Sequence, residues 1–153
     1  MSDPSTIQIR QATAADVDAL TPLFDQYRQF YGQPSDTALA RAFLAERLKN
    51  RQSIVFIAVA PTGEAVGFTQ LYPSFSSVSA ARIFVLNDLF VIPAARRSGV
   101  AGGLLESAGN YARSVGAVRL SLTTAVDNIA AQSLYLSRGW QPDKQFVGFD
   151  LSL

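Results

Sequence analysis

The chain has 153 residues, a length suited to one domain around one core, with 48% hydrophobic and 16% charged residues, the balance of a globular protein. It contains no cysteine and no histidine, which excludes disulfides, thiol nucleophiles, Ser-His-Asp triads and histidine- or thiolate-based metal sites, so no metal is expected. A net charge of +1 argues against nucleic-acid binding. No apolar run is long enough to span a membrane, Met1–Ser5 lacks a signal-peptide pattern, and the cytoplasm is the expected setting.

Alternation at Ile7, Ile9 and Gln11 predicts a first strand. Thr13-Ala14-Ala15-Asp16 has capping-box spacing and opens a helix with Val17, Leu20, Phe24, Tyr27 and Tyr31 on one face. Gly32 and Pro34 stop it, and Ser35 or Asp36 caps a second helix through Leu48. Residues 54–59 read as a buried strand, 61–64 as a turn and 65–72 as the next strand. Residues 73–80 read as a Ser-rich connection and 82–91 as a long strand ended by Pro93. A helix over 99–115, a strand over 118–124, a helix over 128–137 and one or two strands within 140–153 complete the chain. The order β-α-α-β-β-β-α-β-α-β predicts an α/β fold: a mixed, mostly antiparallel sheet with helices on both faces, in one domain over 1–153.

The most informative segment runs from Asn87-Asp88-Leu89-Phe90-Val91 through Pro93 into Arg96-Arg97-Ser98-Gly99-Val100-Ala101-Gly102-Gly103. A glycine-rich entry to a helix offers unpaired N–H groups and a partial positive charge, and the two arginines add fixed charge. The physics alone gives an anion site. A Walker loop would need Gly-Lys-Ser/Thr where Gly102-Gly103-Leu104 stands. The glycine spacing does not fit a Rossmann loop either.

Arg96-x-x-Gly99-x-Ala101, with the approach Asn87 to Pro93 and the downstream pattern Asp127-Asn128-x-x-Ala131-x-x-x-Tyr135-x-x-x-Gly139-Trp140, resembles the GCN5-related N-acetyltransferase superfamily. The resemblance implies that fold, with acetyl-CoA as co-substrate. It implies that backbone N–H groups from Arg97 through Ser98, Gly99, Val100 and Ala101 to Gly102 hold the pyrophosphate, with Arg96 beside them. It implies that the strand at Leu89, Phe90 and Val91 splays from its neighbour and pairs with the pantetheine arm, that Asn128 bonds the coenzyme, and that Tyr135 protonates the leaving thiolate. Asn128 and Tyr135 are two helical turns apart, so they share a face.

Acetylating an amine also needs an oxyanion donor, expected from a backbone N–H near Leu89 or Phe90, and a route for the amine proton. With no cysteine, direct attack in a ternary complex replaces a covalent intermediate. Asp88 is the candidate base or ammonium anchor, and a water chain is the alternative. Tyr27, Tyr31, Tyr72 and Asn87 are the candidate acceptor-binding residues, through an aromatic wall attractive to a cation. The expected activity is acetylation of a small-molecule primary amine. A protein or peptide acetyltransferase and a non-catalytic acyl-CoA-binding module are the alternatives. The closing residues Phe146-Val147-Gly148-Phe149 are expected at a sheet edge, where they would pair with a second subunit as a homodimer.

Overall fold

Five strands form one mixed sheet in the order β1-β2-β3-β4-β5. They are β1 (Gln8–Gln11), β2 (Ile54–Val59), β3 (Ala65–Ser76), β4 (Ala81–Val91) and β5 (Leu120–Ser121). The computed structural model describes residues 6–153, and Met1–Ser5, read above for a signal, lies outside the described residues. The first four strands pair antiparallel and β5 joins β4 in parallel. The helices are α1 (Val17–Phe30), α2 (Thr37–Lys49), α3 (Val100–Ser114) and α4 (Ile129–Ser137). None of the described helices is long and apolar enough to cross a membrane.

The chain divides into two compact units, Met1–Leu122 and Thr123–Leu153. In the first, β2 is a β-branched run whose middle residues are buried on both faces, the signature of a central strand. On one face Leu20, Leu23 and Phe24 of α1 and Leu44 of α2 pack against Val55, Ile57, Phe68 and Phe90. On the other, Val100 and Leu104 of α3 pack against Phe56, Ala58, Val66 and Val91. Each such fully buried side chain contributes about 1.5–3 kcal/mol. The predicted capping box is present: Thr13 accepts from Ala15 N–H at 3.3 Å, and Asp16 accepts from Thr13 N–H at 2.8 Å.

Gly67, on β3, sets how closely α3 approaches the sheet. A Cβ there would lie 3.0 Å from the Phe90 carbonyl oxygen and 3.3 Å from methyls of Val91 and Val100. The α1–α2 corner is tied by Asp25, which accepts from Ser35 Oγ at 2.7 Å and Asp36 N–H at 2.8 Å. Those donors hold the Asp25 carboxyl below the usual range.

Two expectations need correction. The first half of the Ser-rich connection is strand, because β3 runs on to Ser76 and pairs with β4 as far as Ser76 opposite Ala81. Pro73 fits there because β2 ends opposite Leu71, so no ladder requires the missing N–H on that side. Arg82 lies over the Phe75 ring at 4.2 Å, a contact that ties β3 to β4 here. The predicted closing strands do not form: residues 141–153 carry no strand. A strand needs a partner edge, and α4 is the one regular element of the second unit. The parallel strand expected over 118–124 is also shorter, Leu120–Ser121.

Candidate active site

The glycine-rich loop has the geometry of an anion cradle. Arg97 and Gly99 both adopt left-handed backbone conformations, at φ 62° and 83°. Such a conformation turns successive N–H groups toward one point. Bonding within α3 begins with Gly103 N–H donating to Gly99 O at 3.0 Å. The N–H groups of Val100, Ala101 and Gly102 therefore have no acceptor inside the helix. A Cβ on Gly99 would meet nothing within 4 Å, so the space above the loop is open to a ligand. Ser98 Oγ donates to the Ala95 carbonyl and closes the preceding turn. Arg96 also anchors the loop: its Nε donates to Val91 O at 2.9 Å, tying the loop back to β4.

Strand β4 leads into this cradle with one edge largely open. Its parallel pairing with β5 covers Phe84 and Val85, with Val118 N–H reaching the Arg82 carbonyl before it, and none of residues 86–91 pairs with β5. Leu89, Phe90 and Val91 pair with Thr69, Phe68 and Gly67 on the other side. Backbone groups on an open strand edge can be satisfied by an extended amide-bearing ligand laid alongside as an added strand. The residues thus fit a molecule with a pyrophosphate at one end and amides along its length.

A β-bulge places the acid. Gln70 pairs with Asp88 but Leu71 pairs with Leu86, so Asn87 is an extra residue with no partner on β3. Paired residues share a sheet face, so the bulge sends Leu86 to the α3 face and keeps Asp88 on the α1 face with Phe68, Gln70 and Tyr72. Asp88 is 1% exposed. Its Oδ1 accepts from Asn87 Nδ2 at 2.8 Å and its Oδ2 from Gln70 Nε2 at 2.6 Å. The Tyr27 hydroxyl donates to the Asn87 carbonyl at 3.0 Å and also lies against the Asp88 carboxylate. Burial pushes the Asp88 carboxyl above its ordinary range, while the donors from Asn87, Gln70 and Tyr27 pull it partly back. Burial and the Asp88 charge push the Tyr27 and Tyr72 hydroxyls up, so both stay protonated donors. Asp25 and Asp88 are both buried carboxylates shifted in opposite directions, and the upward shift suits a proton acceptor.

The expected acceptor residues therefore converge. Tyr27 stacks on Phe24 and meets Phe68 and Tyr31 edge-on at 5.9 and 5.1 Å, so its ring packs while its hydroxyl reaches the bulge. Tyr31 is more exposed and meets Phe30, extending the aromatic wall. Tyr72 lies on the Asp88 face of β3, within the influence of Asp88 and Arg47.

In the second unit Asn128 is the N-cap of α4: its Oδ1 accepts from Ala131 N–H at 3.1 Å. This leaves the Asn128 amide nitrogen as the end that can donate to a ligand. Tyr135 is half-buried and packs on Trp140 at 6.0 Å between ring centroids. The Tyr135 carbonyl accepts from Trp140 N–H at 3.0 Å, which fixes the helix end.

Comparison with known proteins decides what this arrangement belongs to. Residues 20–140 match the family model described as "Acetyltransferase (GNAT) family". The chain belongs to the GNAT acetyltransferase family. It is 50% identical over 147 residues to the uncharacterized N-acetyltransferase YhfO of Bacillus subtilis, covering 96% of this chain and 98% of that one. A crystal structure of a probable acetyltransferase matches with a TM-score of 0.91 at 44% identity, covering 95% of this chain and 97% of that one. The aminoglycoside N-acetyltransferase AAC(6')-Iy, in complex with CoA, shares the fold at a TM-score of 0.79 and 22% identity, covering 100% and 99%. The protein is thus an acyltransferase of the N-acetyltransferase type.

Within this GNAT chain, sequence reasoning missed Gln70 and the bulge. Gln70 sits in a run of buried strand residues, Val66 to Leu71, where a buried amide was the signal available.

Proposed function

We propose that this protein transfers the acetyl group of acetyl-CoA to a primary amine of a small molecule by direct attack in a ternary complex. The pyrophosphate rests on the cradle from Arg97 to Gly102, with Arg96 fixing its approach. The pantetheine arm runs along the open edge of β4 at Leu89, Phe90 and Val91, and Asn128 donates to the coenzyme. The match over residues 20–140 crosses the boundary between the two units and supports reading them as one acetyltransferase domain.

The observation that carries the small-amine reading is Asp88, a buried and upward-shifted carboxylate among Tyr27, Tyr72 and Asn87. An ammonium enters the aromatic wall of Tyr27 and Tyr31 and gives a proton to Asp88. The neutral amine attacks the thioester carbon, and a backbone N–H near Leu89 or Phe90 holds the oxyanion. The C–S bond then breaks as Tyr135 protonates the departing thiolate, and the second proton of the attacking nitrogen passes through water to restore the tyrosine, leaving a neutral amide and free CoA. The aminoglycoside specificity in the name of AAC(6')-Iy supports amino sugars as the first class to try. An amine library that includes peptides, assayed with acetyl-CoA for released thiol, tests this. Turnover with peptides alone would overturn the small-molecule reading.

Tyr135→Phe is expected to lower kcat ten-fold or more while acetyl-CoA affinity holds, within the roughly 10²–10⁴-fold range of acid–base catalysis. Unchanged turnover would remove Tyr135 as the acid.

The closing segment supports a homodimer. Val147, Phe149, Leu151 and Leu153 alternate along the sequence and are 80% or more exposed. Antiparallel pairing of two copies centred on Val147 sets Lys144 opposite the partner's Asp150, and Phe146 opposite the partner's Gly148. Light scattering should give a dimer mass for the native protein and a monomer for Phe149→Asp. A native monomer at micromolar concentration would exclude the pairing.

A further inference from the structure

Gln70 is a fully buried amide on a central strand. Its Nε2 donates to Asp88 Oδ2 at 2.6 Å, whereas its Oε1 has no hydrogen-bond partner among the described residues. A buried acceptor left unpaired destabilises a fold, and an aliphatic side chain of similar size would remove that cost. A purely structural role therefore does not explain an amide at this position. The neighbouring contacts point to what does. Thr69 Oγ1 donates to the Asp88 carbonyl at 2.8 Å, so two consecutive β3 residues hold Asp88 beside the bulge, one by its backbone and one by its carboxylate. An ionised carboxylate has about four lone-pair positions. Asn87 and Gln70 donate to it from β4 and β3, with the Tyr27 hydroxyl of α1 beside it, and acceptor capacity remains for a further N–H.

We propose that Gln70 is a positioning residue for the acetyl-transfer step, holding one oxygen of Asp88 so that the remaining acceptor position faces the incoming ammonium. The inference rests on Asp88 as the proton acceptor. The amide also favours the ionised carboxylate, since a donor stabilises the charged form. The other groups acting on this carboxylate are Tyr27 on α1, with Tyr31 beside it, and Tyr72 on β3, itself influenced by Arg47 on α2. Both hydroxyls at Tyr27 and Tyr72 are pushed up and stay neutral, so the acid limb of the pH–rate profile reports Asp88.

The experiment compares Gln70→Met and Gln70→Leu with the native enzyme on an amine identified by the library screen. Two substitutions of different shape are used, and circular dichroism selects the folded one. Removing the donor raises the proton affinity of Asp88, so the acid limb of kcat/KM should move to higher pH. At the pH where the native enzyme is half-active, turnover should fall roughly ten- to hundred-fold, the scale of a misplaced catalytic group. The KM for acetyl-CoA should stay within about two-fold and activity should partly return at higher pH. The melting temperature should hold or rise. A native pH profile in a folded variant would overturn the proposal. Asp88→Asn, assayed in parallel, separates the two readings. If it loses turnover while the Gln70 variants keep the native profile, only the role of Gln70 falls. If it keeps full turnover, Asp88 is not the base and both fall.

Discussion

Replacing Gly99 with valine is expected to abolish acetyl-CoA binding while leaving the fold intact. Gly99 has φ 83°, a region where a β-branched residue is a genuine outlier. Forcing a side chain to stay there costs about 1–3 kcal/mol. The loop has an easier outcome, which is to rotate Gly99 and scatter the N–H groups of Val100, Ala101 and Gly102. An added Cβ would meet no protein atom within 4 Å, so the substitution does not press on the core. The new side chain would project into the open space that the pyrophosphate is expected to use. Calorimetric titration with acetyl-CoA should show affinity reduced roughly hundred-fold or more, with Gly99→Ala less affected. Binding within a few-fold of native would count against the cradle.

Asp88→Asn is expected to cut turnover by about 10²–10⁴-fold with acetyl-CoA affinity unchanged. The substitution keeps the size of the side chain and removes its ability to accept a proton. It also has a stability signature of definite sign. The folded chain raises the Asp88 carboxyl above its unfolded value, chiefly through burial. Such a group stabilises the fold when protonated, and that contribution is lost as pH rises through the folded value. At neutral pH the native chain therefore carries the cost of a buried charge that the asparagine variant lacks. The variant should melt at the same or a higher temperature near neutral pH, and the native protein should gain relative to it as pH falls. A variant that melts much lower at neutral pH would mark Asp88 as structural. Full turnover would show that the base lies elsewhere.

These expectations differ in how far the sequence alone could carry them. The cradle was legible because its chemistry is local: a glycine at positive φ, a helix start and flanking arginines follow one another in the chain. The face shared by Asn128 and Tyr135 was legible because helical periodicity fixes it. Asp88 was legible as a candidate because a carboxylate inside an apolar strand demands an explanation. The bulge was not, since it arises only when Gln70 and Leu71 of one strand meet Asp88 and Leu86 of another. The role of Gln70 depends on that same register and was hidden with it. The extension of β3 through Pro73 was missed because the absence of a third strand beyond Leu71, which makes proline acceptable, is a property of the sheet. The closing residues have a strand's alternation, but alternation records what a segment could bury and does not supply a partner.

Gly67 has a consequence for how this enzyme can change. It lies outside the cradle itself, yet the Val100 side chain at the head of α3 rests against the space where its Cβ would be, as do Val91 and the Phe90 carbonyl of β4. The donors that face the pyrophosphate are mounted on that same helix end. One added methyl on a neighbouring strand would lift the helix by a few tenths of an ångström and raise those donors with it. On the proposed reading, coenzyme affinity can thus be adjusted by the thickness of a packing layer. The cradle is carried by α3 on one face of the sheet and the proposed acceptor wall by α1 on the other, which gives a lineage two separate places to vary.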